Sequence, residues 1–292
     1  MDIWYDGSHT ISFYRYNTPD NPIGDFIGNT WINWGLVPNE RPFVNPPEQK
    51  NSTIEIEGAD GVIDMSESLT KWPLYNNRTG QWMFYVTDYN TYEEIITDNN
   101  DLNILDYVSE PIYASSIGTW STKFTKILNA LHGKMLIAIL DDDPDYYYKG
   151  RFKIEQWVSP NDGSFSTVTI KYDLFPYKFK KNFTGIWMNE NTSSISIIGG
   201  RQPIVPYIYT KRKNENTNGN IVLEFINPEL GIHHTDISWS NNTRRYDLME
   251  NMGIGLKDCV ITNLSGANAC TLSVTNIDQC DYVYLRYREG EL

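Results

Sequence analysis

The chain has 292 residues, enough for two hydrophobic cores, since a domain usually takes about 100–200. It is 40% hydrophobic and 14% aromatic, with 20 Tyr, 9 Trp and 11 Phe, which excludes a disordered chain and favours β-rich packing. The net charge of −13, from 24 basic and 37 acidic residues, leaves no basic patch that could hold nucleic acid.

Divided near Asn182, the chain carries 15 basic and 25 acidic residues before the break (−10) and 9 and 12 after it (−3). The N-terminus, MDIWYDGSHT, has neither the positive nor the apolar region of a signal peptide. The longest aliphatic run is the six residues Met135–Leu140, too short to span a bilayer, so no membrane insertion is expected. Cys259, Cys270 and Cys280 are odd in number and fit no CxxC spacing. They read as small buried or half-buried thiols in strands of a soluble protein made in a reducing cytoplasm.

In chain order, Met1–Tyr16 predicts one or two short strands, and Asn17–Gly24 a turn. Trp31–Pro47, with Pro38, Pro42, Pro46 and Pro47, is an extended surface segment. Ile54–Glu57 alternates strictly, Gly58–Gly61 turns, and Val62–Met65 returns, which makes a hairpin. Trp72–Gly80 is a loop leading into a strand over Gln81–Thr87. Asp88–Thr119, rich in Asp, Asn, Glu and Tyr, reads as an insertion with short helical pieces near Tyr92–Ile96 and Leu102–Tyr107.

Ser121 is an N-cap candidate for a helix whose apolar face is Phe124, Ile127, Leu128 and Leu131. Gly133 stands where a left-handed residue ends it, with His132 and Lys134 near the negative end of the dipole. Met135–Leu140 is apolar on both faces, as in a strand buried between layers. Asp141–Pro144 turns the chain, Tyr146–Trp157 pairs back, and Ser164–Pro176 is a long strand with one buried face. From Phe183 on, strands recur every 8 to 12 residues, the rhythm of a β-sandwich. The expected domains are therefore 1–182 and 183–292, with 88–119 as the insertion and Tyr177–Asn182 as the linker.

Several unlinked motifs occur in a telling order: VNPPEQ (Val44–Gln49), LYNNRTG (Leu74–Gly80), LHGK (Leu131–Lys134), DDDPDYYYKGRF (Asp141–Phe152) and IKYDLFPYK (Ile170–Lys178). Over Arg41–Lys178 this order resembles the N-terminal domain of the distal tail protein of long-tailed (siphovirus) bacteriophages. Asp88–Thr119 departs from the family pattern. The resemblance implies a mainly β fold: a β-sandwich-like, ring-forming N-terminal domain with one helix, then a galectin-like C-terminal β-sandwich. It further implies a virion protein of the tail tip and baseplate that works by assembly and without catalysis. Its partners would be five further copies in a hexameric ring, the tail tube protein, the tail-tip hub or tail-associated protein, and a receptor-binding protein. DNA would pass through the channel without specific binding.

Candidate chemistry is sparse. Asp141–Asp145 clusters carboxylates, but Pro144 and Tyr146 break the EF-hand pattern, and a hairpin turn explains the cluster. His234 and Asp236 share a strand face without an identifiable third ligand. Glu55 and Glu57, at i, i+2, read as a solvated strand face. No GxSxG, P-loop or GxGxxG stands in a strand–helix context. Neither a catalytic set, a metal site nor a cofactor is expected. The rival reading is a carbohydrate-binding tail protein in which Trp187, Trp239 or His234 contacts a host-wall sugar. Against it, Trp187 between Ile186 and Met188, and Trp239 beside Ile237, suit a core, and the galectin pattern His-x-Asn-x-Arg is absent.

Overall fold

The computed structural model describes residues 7–58, 60–68, 72–86, 117–158, 166–204, 206–213, 221–229, 231–238, 244–247 and 270–292. The chain divides into two compact units, Met1–Glu48 with Tyr75–Lys178, and Gln49–Leu74 with Phe179–Leu292. Most of the expected insertion, residue 88 to residue 116, lies outside the described residues, as does Cys259.

The first unit contains β1 (Ile11–Tyr16), β2 (Ile23–Asn29) and β3 (Leu36–Pro38). The hairpin β4 (Thr53–Glu55) and β5 (Val62–Asp64) falls in the second unit. The first unit resumes with β6 (Arg78–Val86), α1 (Ile117–Leu131), β7 (Met135–Leu140), β8 (Tyr146–Val158) and β9 (Thr167–Leu174). Its strands pair antiparallel in the order β2-β1-β7-β8-β9-β6-β3. In β7, Leu136, Ala138 and Leu140 join the main core while Ile137 and Ile139 are buried on the opposite face. The doubly apolar run MLIAIL is thus a central strand, flanked by β1 and β8.

Helix α1 buries Ile127 and Leu131 fully, and Phe124 packs edge-on against Trp157 of β8 at 5.2 Å. It begins a turn earlier than the N-cap reading of Ser121 allows. Ser121 lies inside it, since a serine tolerated within a helix looks the same in sequence as one that caps it. The end falls where the sequence places it. Gly133 has φ 74° and its N–H reaches the Phe152 carbonyl at 2.7 Å. Lys134 Nζ donates to the Asn129 carbonyl, and Arg151 Nη1 to that of Gly133 at 2.8 Å, so cations meet the negative end of the dipole. Gly150 of the KGRF motif is required by close approach, since a Cβ there would sit 2.2 Å from the Asp173 carbonyl oxygen.

Strand β2 was not foreseen. Its sequence, IGDFIGN, has two glycines and no clean alternation, and edge pairing to β1 makes it a strand. The segment read as a linker contains β10 (Lys178–Lys180), whose Lys180 N–H bonds the Glu289 carbonyl.

In the second unit follow β11 (Thr184–Met188), β12 (Ser194–Ile197), β13 (Tyr207–Arg212), β14 (Ile221–Asn227) and β15 (Ile232–Ser238). Then come β16 (Arg244–Asp247), β17 (Cys270–Thr275), a 3-10 turn at Ile277–Gln279, β18 (Cys280–Tyr287) and β19 (Gly290–Glu291). Two antiparallel four-stranded sheets result, β11-β18-β13-β16 and β12-β17-β14-β15. Met188, Ile208, Val283 and Leu285 of one meet Leu223, Phe225, Leu272 and Val274 of the other in a single core. Cys270 and Cys280 are buried there as thiols, not joined in a disulfide. Arg288 Nη1 donates to the carbonyls of Lys180 and Lys181, both at 2.7 Å, which ties the chain ahead of β11 to the residue just after β18. The fold is mainly β, with a single α-helix among the described residues.

Candidate functional site

The sequence motifs converge on one buried side chain. Arg78, from LYNNRTG, is 4% exposed. Its Nε donates to the Pro176 carbonyl at 2.7 Å, and its Nη1 approaches the Asn45 carbonyl at 3.5 Å. Its guanidinium lies 5.9 Å from the centre of the Tyr148 ring. Burial lowers the Arg78 pKa, partly offset by Tyr148 and Tyr172, and it raises those of the two tyrosines. The proline-bounded segment is pinned along its length: Trp82 Nε1 donates to the Phe43 carbonyl at 2.8 Å, and the Asn45 N–H to the Tyr172 hydroxyl at 3.1 Å. Four of the five motifs are thereby joined.

The three aspartates of the β7–β8 turn each have work in the fold. Asp141 accepts from the Thr10 N–H at 3.0 Å. Asp142 takes both Arg41 Nε (3.0 Å) and Nη2 (2.9 Å), and also His9 Nδ1 at 2.8 Å. Burial alone would raise the Asp142 carboxyl, but the hydrogen bonds from Arg41 and His9 outweigh it and hold the pKa below the ordinary value. Asp143 accepts from Lys178 Nζ at 2.8 Å and from the Tyr148 hydroxyl at 3.2 Å. The carboxylates thus point to three different partners. Among the described residues no three His, Cys, Asp or Glu side chains converge.

Two features of the surface are suited to assembly. The β4–β5 hairpin exposes Ile54 (50%), Ile56, Val62 (54%), Ile63 and Met65, with Ile54 directly opposite Ile63. Both faces of this two-stranded sheet are exposed, where one wet face was expected. The same stretch holds Glu55, Glu57, Asp60, Asp64 and Glu67 and no basic residue. Separately, the first unit has a cleft of about 790 Å³ lined by Phe43, Arg151, Lys153 and Lys171, with Glu40 and Asp173.

Of the candidate ligand-contacting residues, Trp187 lies on β11 and is 61% exposed, not in the core. The reason is the two-residue strand period: Ile186 and Met188 turn inward, so the residue between them turns out. Trp239 lies outside the described residues. His234 is on β15, opposite Phe225 of β14 in register, and Asp236 is opposite Leu223. Its neighbour His233 places Nε2 2.7 Å from Glu224 Oε1. Sequence reading missed Tyr284 and Tyr209, which the structure brings beside Trp187. The run CDYVYLRY carries the signal, because Tyr282, Tyr284 and Arg286 alternate with inward-facing Val283, Leu285 and Tyr287.

No protein-family model matches the chain, and no curated protein matches it in sequence. In fold it is similar to the crystal structure of the SPP1 Dit (gp 19.1) protein, described as a paradigm of the hub adsorption apparatus in phages infecting Gram-positive bacteria. The likeness spans 97% of this chain and 99% of the other, with a TM-score of 0.58 and 13% identity. The chain therefore shares, over 97% of its length, the fold of a phage distal tail protein, the family whose motif order Arg41–Lys178 resembles.

Proposed function

We propose that this chain is a structural protein of a phage tail tip. Six copies form a hub that joins the tail tube to the baseplate and its receptor-binding apparatus, without catalysis. The observation that carries this reading is the full-length fold likeness to a phage hub protein, together with the convergence of the resembling motifs on Arg78.

A closed ring uses heterologous contacts, so each copy must offer two unlike, complementary patches. The hairpin, acidic and apolar, and the cleft with Arg151 and Lys153 supply such a pair for neighbouring copies. The first unit and the β4–β5 hairpin supply the ring contacts, and the C-terminal sandwich, galectin-like by the family resemblance, meets the receptor-binding protein. The excess of acidic over basic residues before Asn182 lets DNA slide through the channel without adhering.

Light scattering across a concentration series, alone and with the cognate tail tube protein, tests the reading. The expected mass is six times the 33.8 kDa of one copy. A monomer at every concentration that also fails to assemble on tail tubes would overturn it.

A further inference from the structure

The outward face of the sheet β11-β18-β13-β16 is an aromatic platform. Trp187, Tyr284 and Tyr209 occupy one register row across three adjacent strands. The indole of Trp187 stacks on Tyr284 with centroids 4.4 Å apart and planes at 29°. Tyr282 meets the indole edge-on at 5.5 Å, and Tyr209 lies 6.0 Å beyond Tyr284. The stack rests on bare backbone, because a Cβ at Gly185 would come within 2.2 Å of the Tyr284 hydroxyl oxygen. In the next row Arg286 lies opposite Gly185, with its guanidinium 3.6 Å from the centre of the Phe183 ring.

This face differs in chemistry from the hairpin. Among the described side chains, the outward positions paired across β11, β18 and β13 are a Trp, four Tyr, a Gly and an Arg, and none is aliphatic. The hairpin, by contrast, exposes Ile, Val and Met. Interdigitating protein interfaces draw on aliphatic knobs as well as aromatic anchors, whereas the C–H faces of a sugar ring need only flat π surfaces with hydroxyl and cationic groups at their margins. Trp187 is on the edge strand of its sheet, so no further strand among the described residues covers its outer side. A stacked, backbone-seated pair also needs little reordering on binding.

We propose that this platform binds a pyranose-containing polysaccharide, with Trp187 stacking on a sugar ring and Tyr284 holding the indole in place. The proposal rests on the tail-tip reading only for the source of the polysaccharide, the host cell wall.

The test uses the full chain and an array of defined pyranose oligosaccharides, including hexamers of glucose and N-acetylglucosamine and rhamnose-containing repeats, followed by titration with the best binder. Saturable binding is expected, weakened roughly tenfold or more by Trp187→Ala and Tyr284→Ala and little changed by Trp187→Phe. Trp187→Thr, which suits an edge strand, serves the same purpose should the alanine variant unfold. No binding to any oligosaccharide at millimolar concentration overturns the proposal, as does binding that survives both Trp187→Ala and Trp187→Thr. Mass measured on the same samples separates the two ideas: a ring that ignores sugars sinks only this one, and a sugar-binding monomer that never assembles sinks only the hub reading.

Discussion

Arg78 on β6 and the Pro176 carbonyl, 98 positions apart in sequence, are joined by a 2.7 Å hydrogen bond inside the first unit. That bond, with the approach to the Asn45 carbonyl, fixes the proline-bounded segment against the sheet. Replacing Arg78 by Met keeps the bulk and removes the donors, leaving the half-buried Pro176 carbonyl without its partner. The expected loss is about 2–3 kcal/mol of stability, read from the denaturant midpoint. A change under about 0.5 kcal/mol would mean that the convergence of motifs is incidental.

The Asp142 contacts predict an acid sensitivity. Its folded pKa is lowered, so its ties to Arg41 and His9 contribute fully above the ordinary carboxylate range and are lost as the pH falls through the folded value. Thermal scans should show stability dropping below about pH 4, and Asp142→Asn should flatten that part of the profile. An unchanged acid limb in the variant would place the sensitivity elsewhere.

Tyr287 makes the alkaline counterpart in the sandwich. Burial, then the nearby Glu289, pushes its pKa up to about 12, and its hydroxyl donates to the Ile198 carbonyl at 3.2 Å. The neutral phenol therefore stabilises the fold fully below about pH 10, and that contribution fades as the pH rises through the folded value. Tyr287→Phe should lose some stability at neutral pH and show a shallower decline from pH 10 upward, by circular dichroism.

The hairpin is expected to act between copies and not within one. Ile54→Asp with Ile63→Asp puts two charges where half-exposed side chains await a partner. Assembly should weaken at least about tenfold, while the melting of the single chain barely moves. Loss of stability in the monomer with assembly intact would contradict this assignment.

How much of this was legible in sequence depends on distance along the chain. The end of α1 was readable because Gly133, Lys134 and the apolar run of β7 are local signals. The start of α1 was not, since Ser121 could cap a helix or sit within one. Strand β2 escaped because its pairing with β1, and not its own pattern, makes it a strand. Trp187 was readable in principle: the same alternation that buries Ile186 and Met188 turns it outward. The convergence on Arg78 was beyond reach, because Asn45, Tyr148 and Pro176 meet only through the sheet order.

The most direct test of the central claim is single-particle microscopy of the assembled protein, alone or on tail tubes. The account predicts a ring of six copies around an open channel, with the β4–β5 hairpin of each copy seated on its neighbour. Particles of another symmetry, or a closed assembly without a channel, would contradict it.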